Sequence, residues 1–251
     1  MRDDVLIHKP TSTPQLLDQA SELAGYIAKL PLQKLQKCMA VSEQLAEKTH
    51  QTFAHWSTDP SGRSAVNSFV GDIYSGLQTG QWTSDDAAFA QKHLRILSGL
   101  YGILKPLDDI RPYRLEMGYR FPDEPYISLY KFWGDTVAKQ LPESGPILNL
   151  TAVEYSKVLT PFIDKERLIT PAFMTISPKT CEPTFVTVHA KIARGAFANW
   201  MIKNRITETA QITEFNDLNY RYDPTQSTPE RPVFICKEFG GIGLSIRLKK
   251  S

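Results

Sequence analysis

The stretch from His93 to Met117, HLRILSGLYGILKPLDDIRPYRLEM, sets two glycines in a hydrophobic frame and rims them with basic residues. Leu94, Ile96, Leu97, Leu100, Ile103 and Leu104 can supply a packed underside. Gly99 and Gly102 let the backbone turn sharply and approach another molecule closely. Lys92, Arg95, Lys105, Arg111 and Arg114 stand at the edge of that turn, and a polyanion is their natural guest. Backbone N–H groups at such a turn, followed by a helix N-terminus, bind phosphate without reading sequence. A tight turn between packed helices accounts for the same pattern.

A chain of 251 residues, 41% of them hydrophobic, can bury a substantial core as one large domain or two small ones; with no interdomain linker in view, a single domain is favoured. The 29 basic and 27 acidic residues leave a net charge of only +2, so any nucleic-acid site must be a local patch. Cys38, Cys181 and Cys236 are widely spaced and form no CxxC, which argues against a disulfide framework or a structural zinc site. No run approaches the roughly 20 apolar residues of a membrane span, and the polar start Met1 to Asp4 lacks signal-peptide form. A reducing cytoplasm fits.

The periodicity places two packed helices in the first quarter. Thr13-Pro14 reads as a cap before Leu16, Leu17, Ala20, Leu23, Ala24, Ile27 and Leu30; Pro31 interrupts, and Leu32, Leu35, Met39, Ser42 and Leu45 continue toward His50 and Trp56. Gly71 and Gly76 bracket a segment that is strand or loop, and Thr83-Ser84-Asp85-Asp86 caps a helix leading into the glycine turn. A further helix is expected over Ser128 to Leu141. Short strands are expected at Ile147 to Leu150, Leu168 to Phe173, Thr184 to Val188 and Val233 to Cys236, with one strong helix from His189 to Arg205. The pattern is mixed α+β.

Lys191 and Arg194 are neighbours on that last helix. Gly195, costly in mid-helix, suggests a close approach by another backbone or a ligand. Glu47 and His50 have the spacing of half a di-iron site, but a ferritin-like centre needs two such pairs, so no metal is assigned. Gly240-Gly241-Ile242-Gly243 lacks the βαβ context of a dinucleotide site, and no phosphate-loop, HExxH or GxSxG motif occurs. No cofactor is implied. Asp72, Tyr74, Glu116, Asn149, Glu154 and Tyr155 could do acid-base chemistry beside Lys191 or Arg114; structural ion pairs would leave the same trace, and nothing pairs a nucleophile with a base.

Taken with FVGDIYSGL (Phe69 to Leu77), KFWGD (Lys131 to Asp135), ILNLTAVEY (Ile147 to Tyr155) and HAKIARG (His189 to Gly195), the glycine stretch resembles the YaaA family of bacterial peroxide-stress proteins in order and spacing. The resemblance implies a cytoplasmic, single-domain α+β protein with a helix-hairpin-helix-like element beside a basic cleft that binds DNA, limiting damage where hydrogen peroxide meets iron. It attaches no catalytic activity. Family members open with a short strand and a Ser-Pro-Ala-Lys-like motif, whereas this chain starts MRDDVLIHKP, so that strand and one cleft lysine are expected to be missing. The family-like domain is expected over residues 1–238, with 239–251 as an unmatched tail.

The leading expectation is a DNA-binding stress protein that is not an enzyme. Its DNA-facing residues are Lys92, Arg95, Ser98, Gly99, Tyr101, Gly102, Lys105, Arg114, Lys191 and Arg194, reading shape or damage rather than base sequence. The alternative is an enzyme acting on a nucleotide or other anionic small molecule in the same cleft, with Asp72, Glu116 or Glu154 as acid or base. An open groove favours the first; a closed pocket of about 300 to 1,000 Å³ favours the second.

Overall fold

The computed structural model describes residues 8–241; residues 1–7, which hold most of the divergent opening, and residues 242–251 of the tail lie outside the described residues. In chain order the helices are α1 (Leu17–Lys29), α2 (Leu32–Met39), α3 (Glu43–Ala54), α4 (Ala65–Ser68), α5 (Asp72–Leu77), α6 (Ser84–His93), α7 (Leu129–Trp133), α8 (Val153–Ser156) and α9 (Thr187–Lys203). The strands are β1 (Ile96–Ser98), β2 (Gly102–Leu104), β3 (Ile147–Leu148), β4 (Leu168–Ile169), β5 (Ala172–Ile176), β6 (Pro183–Thr184), β7 (Arg221–Tyr222) and β8 (Val233–Cys236). The fold is mixed α+β. Two compact units interleave along the chain: one takes the residues up to Ser68 with Leu94–Glu143 and Ala152–Phe162, the other Phe69–His93, Ser144–Thr151 and the chain from Ile163 onward.

In the first unit α1 buries Ala20, Leu23, Ala24 and Ile27, the stripe its periodicity predicts. It begins at Leu17 rather than after Thr13-Pro14, with Leu16 at the N-cap position and no side-chain cap; Ser12 instead donates to Asp108 Oδ1 at 2.6 Å. The second helix expected from the sequence is two. Ala40 turns left-handed (φ 52°) and ends α2, and Ser42 Oγ then accepts the Leu45 N–H to cap α3. The helix expected over Ser128 to Leu141 shortens to α7, since Gly134 takes φ +49° directly after Trp133.

In the second unit the segment between Gly71 and Gly76, read as strand or loop, is helix α5, entered through Gly71 at φ +140°. Helix α6 starts where its cap residues predict. Thr83 N–H donates to Asp86 Oδ2 at 2.8 Å and Asp86 N–H to Thr83 Oγ1 at 3.1 Å, a reciprocal capping box. The four-stranded sheet has the order β6-β5-β8-β7, with β5 and β8 parallel and the outer pairs antiparallel; β3 and β4 form a separate parallel pair. The strand expected over Thr184 to Val188 is confined to Pro183–Thr184, because Thr187 and Val188 already belong to α9.

Helix α9 packs into an aromatic core of Phe173, Phe197, Phe215, Tyr220 and Phe234. It buries Ala190, Ile192, Ala193, Gly195, Ala196, Phe197, Ala198 and Ile202, so little of its circumference is left for polar groups. Lys203, at its end, reaches Asp86 Oδ2 at 2.6 Å, and Arg205 reaches Asp86 Oδ1 at 2.8 Å with its guanidinium over the Phe89 ring. Lys191 and Arg194 are not part of that cluster.

Candidate nucleic-acid interface

The glycine turn is a strand hairpin. Ile96 pairs with Leu104, Leu97 with Ile103 and Ser98 with Gly102, and residues 105–128 after it hold no helix. This corrects the expectation that the turn joins helices: Gly102 at φ +66° and the two-strand register set a hairpin geometry. Ser98, Gly99, Tyr101 and Gly102 are all buried. Ser98 Oγ accepts the Tyr101 N–H at 2.8 Å and bonds the Tyr113 hydroxyl at 2.6 Å, and the Gly99 carbonyl takes the Trp133 indole N–H at 3.1 Å. Gly99 is needed because the Leu115 backbone lies where a side chain would begin, and Gly102 because Trp133 and Leu16 pack against it. The turn therefore builds the frame of its unit, and its polar atoms are turned inward.

The cations around it differ in situation. Arg95 is half-buried, its Nη1 donating to the Leu94 carbonyl, and burial lowers its pKa from the ordinary value while Asp108 partly offsets this. Arg111 donates Nε–H to the Asp59 carbonyl and Lys105 is half-buried. Arg114 is exposed beside Tyr119. These four lie in the first unit; Lys92, exposed at the end of α6, lies in the second with Lys191 and Arg194.

Arg194 is the most informative of the set. It is half-buried on α9, yet among the described residues it has no ion pair and no hydrogen bond. Burial alone pushes its guanidinium below the ordinary value, with no carboxylate acting against it. Lys191, one turn earlier, is exposed and likewise forms no ion pair among the described residues. A desolvated cation without a counter-charge is costly unless an anion arrives to satisfy it.

The carboxylates that acid-base chemistry would use are engaged. Tyr155 donates its hydroxyl to Glu116 Oε2 at 2.5 Å, and burial followed by that bond raises the phenol far above its ordinary pKa. Glu154 Oε1 accepts the Gly118 N–H at 2.8 Å, and its carbonyl accepts the Tyr130 hydroxyl. Asn149 Oδ1 accepts from Thr151, closing a local turn. On α3, His50 Nε2 is 3.1 Å from the Leu30 carbonyl, and no group of three or more His, Cys, Asp or Glu among the described residues is placed to hold a metal.

Sequence reasoning did not single out Asp108, Asp109 or Phe185. Asp108 binds Ser12 and the Lys105 N–H, and Asp109 binds Ser61 and the Gly62 N–H, so the pair at 108–109 ties three segments together. The Asp-Asp dipeptide was the available signal. Phe185 is 54% exposed just before α9; a lone aromatic in a β-like run carries no sign of exposure.

Fold and site thus define a mixed α+β protein of two interleaved units whose cations without acidic partners sit on the first turns of one helix. Residues 2–226 match the family described as peroxide stress protein YaaA. A UPF0246 protein of Salinispora tropica is 53% identical over 237 residues, covering 94% of this chain and 90% of the relative. UPF0246 proteins of Roseobacter denitrificans and Cupriavidus metallidurans are 38% and 39% identical, each covering 90% of this chain and 91% and 90% of the relative. The chain belongs to the YaaA family of peroxide stress proteins, the family its sequence blocks indicate. No helix among the described residues is long and apolar enough to cross a membrane.

Proposed function

We propose that the chain is a cytoplasmic DNA-binding protein of the peroxide stress response that limits iron-dependent oxidative damage. The observation that carries this reading is Arg194, a half-buried guanidinium with no acidic partner among the described residues, backed by Lys191 one helical turn away. A phosphate diester supplies the missing counter-charge and tolerates any base sequence, since the contact is to the backbone. Lys92, Arg95, Lys105 and Arg114 add to the cationic surface of their own units. Ser98, Gly99, Tyr101 and Gly102 are buried in the frame of the first unit.

The enzymatic alternative draws less support. Glu116 is occupied by Tyr155 and Glu154 by Gly118, which favours structural roles for both.

Fluorescence anisotropy of labelled duplexes across a salt series tests the proposal. Binding that is independent of sequence, with log K falling by about 0.9 per phosphate contact per unit log salt, is expected. A flat salt response, or strong preference for one short sequence, would overturn it.

A further inference from the structure

The interior of the second unit collects its aromatic rings into mutual contacts: Phe173, Phe197, Phe215 and Phe234 pack with centroids 5.0 to 6.0 Å apart. Phe185 stands outside this arrangement. It is 54% exposed and makes no ring contact among the described residues. Thr184, just before it, is held in the sheet by pairing with Thr175, and Val186, just after it, is the extended residue that opens α9. The ring is thus fixed at its base by a strand on one side and a helix on the other, with an open face.

Lys191 and Arg194 follow on the first two turns of that helix. From Thr187 to Arg194 the axis rises about 10 Å at ~1.5 Å per residue, the length of about three nucleotides of one stacked strand. An exposed aromatic ring followed in the same segment by cations lacking acidic partners is the combination that holds single-stranded nucleic acid, where a base stacks on the ring and the flanking phosphates meet the charges. In a closed duplex the base faces are covered by their neighbours, so the ring would find nothing to stack on.

We propose that the segment from Phe185 to Arg194 binds an unpaired stretch of DNA, with one base stacked on Phe185 and adjacent phosphates on Lys191 and Arg194. This inference rests on the DNA-binding reading and specifies the DNA structure that it takes. Stacking on a side chain is sequence-tolerant, because every base has a π-face. The preferred targets are therefore gaps, frayed ends and single strands.

The test compares a labelled 12-nucleotide thymidine oligomer with a duplex of the same length, using the full chain and its Phe185→Ala, Phe185→Trp and Arg194→Gln variants. Phe185→Ala is expected to weaken oligomer binding by about fivefold or more while changing duplex binding by less than about twofold; Phe185→Trp is expected to retain oligomer binding. Arg194→Gln should lower the salt slope on the oligomer by about 0.7. Thermal melts of the Phe185 variants should match the parent, since the ring is exposed. Unchanged oligomer affinity in Phe185→Ala, or equal weakening on both ligands, would overturn the stacking site while leaving DNA binding intact. Failure of the parent chain to bind either ligand would overturn both readings.

Discussion

Gly76 and Gly195 face each other where α5 crosses α9. A Cβ on Gly195 would collide with the carbonyl oxygen of Ile73, and one on Gly76 with the carbonyl oxygen of Ile192. Each glycine exists for the other helix's backbone, so the close approach that mid-helix Gly195 implies in the sequence is a helix crossing. The obstacles are backbone atoms, which cannot swing aside as side chains do.

Gly195→Ala is therefore expected to destabilise the protein by about 2 kcal/mol or more, against a helix-propensity gain of about 1 kcal/mol had the site been open. Gly76→Ala should cost a similar amount, and the double variant less than the sum, because the first substitution already separates the helices. Urea unfolding of the three variants measures this. A neutral or stabilising Gly195→Ala would show that the helices can part at no cost.

Asp86 is buried while its partners Lys203 and Arg205 are partly exposed. Burial alone would raise its pKa, but hydrogen bonds from Lys203, Thr83 and Arg205 outweigh that and hold the carboxyl well below the usual range. A depressed folded-state pKa gives stability that is present above the unfolded value, near 3.9, and is lost as pH falls toward the folded one. Asp86→Asn should cost about 2 kcal/mol at pH 7, with the difference from the parent shrinking only below about pH 4. Denaturant midpoints of both proteins from pH 7 to pH 2 check it; a gap constant across that range would contradict the assignment.

Tyr155 responds in the opposite sense. Its phenol is raised by burial and by the bond to Glu116, so its contribution is present below the unfolded value of about 10 and lost as pH rises above it. Tyr155→Phe should flatten the alkaline loss of stability between about pH 10 and 11.5, measured by urea midpoints at each pH. Equal alkaline slopes in the two proteins would place Tyr155 outside this linkage.

Gly102 and Arg114 separate frame from contact. Gly102 has φ +66° with Trp133 packed against it, so Gly102→Ala should cost about 1 kcal/mol or more. Arg114 is exposed, and Arg114→Ala should leave the melting temperature unchanged while weakening DNA binding. Equal melting shifts in the two variants would contradict the division.

Elements with strong local signals were legible in the sequence: the buried stripe of α1, the Thr83 to Asp86 cap, the extent of α9 to within two residues, and the strand at Val233 to Cys236; the single strand expected from Leu168 to Phe173 is instead two, β4 paired with β3 and β5 in the four-stranded sheet. Those that depend on a single residue's backbone were not. Ala40 and Gly134 end helices whose periodicity continues past them, and no side-chain pattern announces a left-handed residue. The glycine turn misled because its hydrophobic frame fits a hairpin of strands as well as one of helices, and only the register of Ile96 with Leu104 decides. Lys191 and Arg194 were readable as helix neighbours, but Arg194's lack of an acidic partner depends on long-range packing that spacing does not encode.

Arg194→Gln most directly tests the claim that a desolvated guanidinium on α9 awaits a phosphate. Anisotropy titrations of the parent and the variant against one DNA duplex, at several salt concentrations, give a slope for each. The account predicts weaker binding at low salt and a slope shallower by about 0.9, the release of one counterion, with the melting temperature unchanged or raised because a half-buried charge without an acidic partner has been removed. Identical affinity and slope in the two proteins would contradict it.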